Sequence, residues 1–416
     1  MSTSLQWPTK RIRFVTKRNR SPEQLRRLSE ASEATFLAME AIGEQGEVDL
    51  SLARSVAEVS SGYTQFFDGD VVVAKITPCF ENGKGALITG LLGGIGFGTT
   101  ELHVLTPTSE LDGRFLYYIT ASRSFRRLGE GSMIGAAGQK RVPEDFVRDF
   151  RISLPPVFHQ RAIAKYLDRE TGRLDALVTA KERVLRLLAE KRQGLITHAV
   201  TRGLDPRAPV RDSGIPWLGE IPAHWEVKRL KYLFGLVADP APPDNDFELL
   251  SLYTDIGVRP RKELEARGNK STTTDSYWMV QPGDLIVNKL LAWMGAFGVS
   301  EYVGVTSPAY DILRPAADVD PYYYHHLFRC GICQPEIRRR SYGIMDMRLR
   351  LYFDRFGDMP VPVPPRTEQE KILERVTDGA TQVDRVVQAT KRTIALLKER
   401  RAALIAAAVT GQIEVY

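Results

Sequence analysis

The sequence predicts an α+β protein: two globular domains separated by two long helices that pack as an antiparallel coiled coil, with an internal pseudo-twofold repeat. Three observations predict it. Residues 154–204 (LPPVFHQRAIAKYLD…) align without a gap on residues 363–413 (VPPRTEQEKILERVT…) at a constant offset of 209. Identical pairs include Pro155/Pro364, Pro156/Pro365, Gln160/Gln369, Asp175/Asp384, Leu188/Leu397, Glu190/Glu399, Arg192/Arg401 and Leu195/Leu404. Amphipathic composition does not align Pro-Pro at one end and Ala-Val-Thr at the other, so this is a long-period repeat. Second, both copies carry apolar residues in alternating steps of three and four, a degraded heptad seam. Third, the stretch before each copy mixes strand and helix signals and shares shorter motifs with the other.

Composition sets the class. The apolar and charged fractions, 43% and 26%, are those of an ordinary globular protein. No apolar run is long enough to span a membrane, and the N-terminal stretch lacks the apolar core of a secretory signal. Three cysteines, Cys79, Cys330 and Cys333, do not make a disulfide framework, so a cytoplasmic location is expected. A net charge of +6 is mild support for a polyanionic partner.

The first domain is expected over residues 1–153. Its opening, LQWPTKRIRFV, matches HWEVKRLKYLF near residue 225, pairing Trp7 with Trp225 and Lys10 with Lys228. A helix is expected around residues 21–28. The run FFDGDVVVAKITP predicts a turn and a short buried strand, and VQPGDLIVNKLLA repeats it, with Gly69-Asp70 on Gly283-Asp284 and Lys75 on Lys289. The glycine run GGIGFG reads as turns and loops, because no helix opens after it as a dinucleotide fingerprint requires. A strand is expected over 99–107 and one helix over 113–128, with its counterpart over 320–340.

Residues 154–204 form a central spacer helix. Gly203 is placed to stop it. A second domain is expected over 205–362, entered by a Pro- and Gly-rich, non-helical linker over 205–225. The second spacer helix occupies 363–416, with Thr367 and Glu370 in capping-box spacing. The seam is expected at Leu167, Leu174, Leu177, Leu188 and Leu195, and at Val376, Val383, Val386, Leu397 and Leu404. At about 1.5 Å per residue each helix is roughly 60 Å long, more than one small domain covers, so the simplest burial of both seams is against each other.

The working parts of an enzyme are missing. There is no phosphate-binding G-x-x-x-x-G-K-S/T loop. Ser307-Pro308-Ala309-Tyr310 misses an amino-methyltransferase signature by one proline. Asp70…Lys75 and Asp284…Lys289 lack the acid that a metal-dependent nuclease needs two residues before the lysine; Val73 and Val287 stand there. His325, His326, Cys330 and Cys333 have zinc-like spacing, but the first half has no equivalent cysteines, so no metal is expected. What remains is a binder. Each domain ends in loops rich in Arg, Lys, Gln and Gly, types that hold phosphates and read base edges. The candidate contacts are Lys75, Lys84, Ser132, Gln139, Lys140 and Arg141 in the first half, and Lys289, Trp293, Arg338, Arg339, Arg340, Tyr342, Arg348 and Arg350 in the second.

The stretches LPPVFHQRAIAKYLD, PVPPRTEQEKILERV, GIPWLGEIPAHWEVKRLKYLF and KRQGLITHAVTRG together resemble the specificity subunits of type I restriction–modification systems. One departure is His159, where the family commonly has Glu, as Glu368 does in the second copy. The resemblance implies that each globular half is a target-recognition domain reading one part of an asymmetric, bipartite site in double-stranded DNA. It implies that the helices set the spacing and dock two modification subunits, which bring S-adenosylmethionine and methylate adenine N6. It further implies restriction subunits that use ATP and Mg. By the same resemblance this chain binds no cofactor and catalyses nothing. The alternatives are a fused nuclease or methyltransferase and a coiled-coil scaffold without DNA recognition.

Overall fold

The computed structural model describes residues 7–17, 32–136, 138–254, 256–264, 274, 276–343 and 349–415. The chain divides into two units: Met1–Glu182 with Lys391–Tyr416, and Arg183–Thr390. The helix expected at 21–28 lies outside the described residues.

The first unit holds two four-stranded sheets. One runs in the order Thr16–Lys17, Leu102–Pro107, Val71–Ala74, Gly85–Leu87. Val71, Val72, Val73 and Ala74 are all buried, as a continuous apolar strand dictates. The other sheet runs Ala53–Ser55, Glu33–Leu37, Ile95–Gly98, Thr64–Phe67. The glycine run therefore contains a buried strand rather than loops alone. Its glycines are there for close approach: a Cβ on Gly96 would lie 2.4 Å from the Phe66 ring, and one on Gly98 2.6 Å from the Leu37 carbonyl oxygen.

The second unit repeats the first of these sheets in the same order: Phe234–Val237, Tyr310–Pro315, Leu285–Asn288, Phe297–Val299. The closing pair recurs too, Thr9–Arg11 with Arg151–Ser153 and Glu226–Arg229 with Pro360–Val363. The repeated Gly-Asp turn has one mechanism in both. Gly69 and Gly283 sit at φ +90°, and the buried acids behind them accept the N–H groups of Phe67 and Gln281, each at 2.8 Å. Asp70 then takes the Thr106 hydroxyl at 2.7 Å, whereas Asp284 takes two bonds from Arg314 at 2.8 and 2.7 Å.

The helices expected over 113–128 and 320–340 are each two. Gly113–Ala121 ends at Ser122 (φ −66°, ψ 146°), and Arg123–Gly131 follows. Pro321–Arg329 ends at Cys330 (φ −72°, ψ 145°), and Gln334–Arg340 follows. Ser122 breaks the first pair by capping the new helix at Phe125 N.

The long helices are Val157–Arg202 and Arg366–Val409. They run antiparallel within each unit. In the first, Ile163, Ala164 and Leu167 share a core with Ile405, Ala408 and Val409. In the second, Ile196, Ala199 and Val200 share one with Ile372 and Val376. Each helix ends on a glycine under a tryptophan: Gly203 at φ +74° beneath Trp225, and Gly411 at φ +73° beneath Trp7. The capping box does not form. The helix starts at Arg366, one residue before Thr367, and the Pro365 carbonyl accepts from Glu368 and Gln369.

The seam also differs in detail. Leu167, Leu174, Val376 and Val383 are buried, and Leu188, Leu195, Leu397 and Leu404 are half-buried. Leu177 and Val386 are 43% and 48% exposed. A helix turns about 100° per residue, so ten residues beyond Leu167 the face has drifted by about 80°, whereas eleven residues beyond it the drift is about 20°. Val178, at that eleventh position, is buried in place of Leu177.

Candidate nucleic-acid interface

A latch repeated in both units holds the short helices against the long ones. Gln160, fully buried, accepts the Asp112 N–H at 2.8 Å and donates to the carbonyls of Glu110 and Pro155 at 2.8 and 2.7 Å. Gln369, also fully buried, accepts the Asp320 N–H at 2.8 Å and donates to Pro364 O at 2.8 Å. This is why glutamine stands in both Pro-Pro-x-x-x-Gln motifs: a primary amide both donates and accepts, and each of these partners is a backbone group.

In the first unit the segments around residues 75 and 141 meet. Arg141 pairs through its backbone with Ile134 and Ile76, Thr77 N–H donates to Lys140 O, and Val142 N–H donates to Lys75 O. Lys75 and Arg141 thereby reach a cleft of about 730 Å³, lined also by Arg13, Lys17, His103 and Arg148. Arg141 forms a fork on Glu101, with contacts of 2.8 and 2.9 Å, which holds that carboxyl below its usual range. His103 Nε2–H donates to Val142 O at 2.9 Å, and burial depresses its basicity. Five cations and one acid, Glu144, line the cleft. Sequence reasoning found two of the five. Arg13, Lys17 and Arg148 are separated from them in the chain and converge only through strand pairing.

The other first-half candidates have local tasks or stand at the surface. Lys84 Nζ donates to Met39 O at 2.8 Å, and half-buried Arg126 holds the same loop by the carbonyls of Phe80 and Gly83. Ser132 donates to Gly129 O at 2.7 Å. Gln139 and Lys140 are exposed.

The second unit builds a different face from cations on aromatic rings. Arg338 lies 5.0 Å above Trp293, whose indole N–H donates to Leu290 O at 3.1 Å. Arg355 lies 4.8 Å above Tyr342, Tyr342 packs 5.2 Å from Tyr352, and Lys289 lies 5.9 Å above Tyr352. Tyr352 and Arg355 were not among the sequence candidates. Lys289 also pairs with Asp311 at 3.3 Å, both side chains being under a fifth exposed, and burial raises the Asp311 carboxyl against that pull. Arg339 forks onto Glu336 at 2.7 and 2.8 Å, and half-buried Arg340 donates to the same carboxylate at 2.6 Å and to Arg355 O at 2.9 Å, a structural task. Arg350 is exposed and pairs with Tyr342 through the backbone. Arg348 lies outside the described residues.

Of the cysteine–histidine cluster, the two cysteines are core, and the two histidines are half-buried at the wall of a cleft. Cys330 and Cys333 are fully buried, and burial pushes the Cys330 thiol up to about 11. Burial likewise pulls His325 down to about 3 and His326 to about 4. Among the described residues no three His, Cys, Asp or Glu side chains are placed to hold a metal ion. No described helix is long and apolar enough to cross a membrane.

No family model matches the chain. It is 50% identical over 107 residues to the specificity subunits of the type I restriction enzymes EcoEI and EcoAI of Escherichia coli, covering 26% of this chain and 18% of each relative. The chain thus matches under a fifth of the length of these curated relatives. It is 24% identical over 182 residues to a putative type I specificity subunit, MjaX, of Methanocaldococcus jannaschii, covering 43% and 41%. Among solved structures, one from a study of assembly and conformational transition of the type I R-M system superposes with a TM-score of 0.74 at 17% identity over 99% of this chain and all of that one. The HsdS subunit of Thermoanaerobacter tengcongensis superposes at 0.58 and 17% identity, over 98% of each chain. The class so defined is an internally duplicated protein of two α+β units with antiparallel helix pairing in each. In fold, and in sequence over 107 residues, the chain is similar to specificity subunits of type I restriction–modification systems.

Proposed function

We propose that the chain reads an asymmetric, bipartite sequence in double-stranded DNA as the non-catalytic specificity subunit of a type I restriction–modification complex. The observation that carries this is a duplicated frame bearing two dissimilar faces. The latch, the Gly-Asp turn and the glycine–tryptophan helix ends recur in both units. The cation-lined cleft of the first unit and the cation–aromatic face of the second do not resemble each other. Different readers on equivalent frames suit two half-sites of different sequence.

The long helices support docking of two modification subunits. Four of their exposed apolar residues fall at repeat-equivalent positions, Leu177 with Val386 and Leu187 with Leu396. In this reading S-adenosylmethionine belongs to the modification subunits, ATP and Mg to restriction subunits, and the complex works in the cytoplasm. The test is retention of labelled duplex DNA by the chain co-purified with its modification subunits. Retention that unlabelled nonspecific DNA does not displace is expected. Co-purification without such retention would favour the scaffold reading.

A further inference from the structure

One place on the duplicated frame is filled in the first unit and open in the second. Asp112 and Asp320 cap equivalent nine-residue helices, and five residues beyond each cap stand Tyr117 and His325. In the first unit the loop 43–48 lies on Tyr117, which is buried. A Cβ on Gly46, at φ +96°, would lie 2.5 Å from Tyr117 Oη, so only glycine lets the loop come so close. The side-chain amide of Gln45, in the same loop, lies 3.1 Å from an Asp175 carboxylate oxygen. The loop thus also covers the pair that Asp175 makes with Arg401, and that pair is sheltered.

In the second unit His325 borders a cleft of about 330 Å³, and the equivalent pair, Arg192 with Asp384, is exposed. Arg192, Arg259, Arg329 and His326 line the cleft with His325, against one acid, Glu301. Arg329 is spent on the carbonyls of Thr254, Gly295 and Phe297, so it supplies charge and no free fork. The other two arginines reach solvent. Arg192 has its acid 3.7 Å away, and Arg259 uses Nη1 on Tyr302 Oη at 3.1 Å, with Glu301 4.0 Å off. His326 has no hydrogen-bond partner among the described residues. A cleft lined mainly by one sign of charge attracts the opposite sign.

We propose that this cleft receives an acidic loop of a modification subunit, in the place where the first unit seats its own loop 43–48, of sequence Gly-Glu-Gln-Gly-Glu-Val. The carboxylate side chain of that loop meets Arg192 and Arg259. Charge complementarity favours an acidic segment, and Arg192 belongs to the long helix on which docking is proposed, so the cleft continues that surface. The inference rests on that docking, and it makes the two docking sites unequal.

The test uses the full chain co-expressed with its modification subunits, carrying Arg259→Gln or Glu301→Gln. Native mass spectrometry over a dilution series counts the modification subunits held. Arg259→Gln is expected to weaken one of two binding steps about tenfold, and Glu301→Gln to tighten the same step. Melting temperatures should change little, because neither side chain is buried. Binding unchanged in both variants overturns the proposal. So does a lowered melting temperature of Arg259→Gln with both steps intact, which would make the cleft part of the chain's own fold. An effect confined to the affinity for a fluorescein-labelled duplex overturns it as well and assigns the cleft to DNA phosphates. A wild-type chain that binds no modification subunit overturns the docking reading and this inference together, whereas the other adverse outcomes leave docking standing.

Discussion

Arg401 Nε reaches both carboxylate oxygens of Asp175, at 2.9 and 3.1 Å, with the two side chains 17% and 26% exposed. Their repeat mates, Arg192 and Asp384, lie 3.7 Å apart and are 46% and 60% exposed. The same two residue types thus tie the antiparallel helices in both units, but only the first pair is largely withdrawn from water. Removing one partner of a sheltered pair leaves the other charge uncompensated, whereas exposed pairs contribute about 0–1 kcal/mol. Asp175→Ala is therefore expected to destabilise the fold by about 2 kcal/mol and Asp384→Ala by less than about 0.5 kcal/mol. Urea unfolding of the two variants measures the difference.

The buried glutamines make a second contrast. Gln160→Ala strands one N–H and two carbonyls, and Gln369→Ala one of each. At about 1–3 kcal/mol per unsatisfied buried group, both variants lose stability, the first more. Gln160→Glu should be no milder, because a carboxylate cannot donate to Glu110 O or Pro155 O. Thermal melting ranks the three.

Acid should loosen the second unit. Burial holds His325 near 3 and His326 near 4 in the folded chain, against about 6.5 when unfolded. The unfolded state therefore binds more protons below pH 6.5. Stability is full above that pH and is lost as pH falls toward 4. The melting temperature should drop across this window, and His325→Leu should flatten the drop. An equally steep profile in the variant would show that other groups carry it.

Lys75 and Lys84 lie nine residues apart in the sequence but do different things. Lys75 lines the cleft, whereas Lys84 is held by Met39 O. Lys75→Ala is expected to reduce the slope of log affinity against log salt by about 0.9, the share of one phosphate contact. Lys84→Ala should leave the slope unchanged. Lys289→Ala should show itself mainly as lost stability, because it leaves Asp311 buried without its partner. Anisotropy titrations over a salt series, with melts alongside, separate these effects.

The repeat, the long helices and the Gly-Asp turns were legible because each rests on local chemistry: a period, a glycine, an acid behind it. The cleft was legible only in part. Lys75 and Arg141 sit in motif loops, but Arg13, Lys17, Gln65 and Arg148 reach them through pairings between segments far apart in the chain. The seam misplaced Leu177 and Val386 because both are apolar at a plausible step, and only accumulated helical drift turns them outward. Ser122 and Cys330 look helical by their neighbours, and a backbone break at each was not legible in composition.

The most direct measurement of sequence reading is a map of N6-methyladenine across the genome of a host expressing this chain with its modification subunits. The expected result is one asymmetric motif of two short, dissimilar parts separated by a fixed number of unread base pairs, with one part changed when residues 75–141 are exchanged for those of another specificity subunit. Methylation at a single uninterrupted or palindromic sequence, or a motif that does not respond to that exchange, would contradict two dissimilar readers on one duplicated frame.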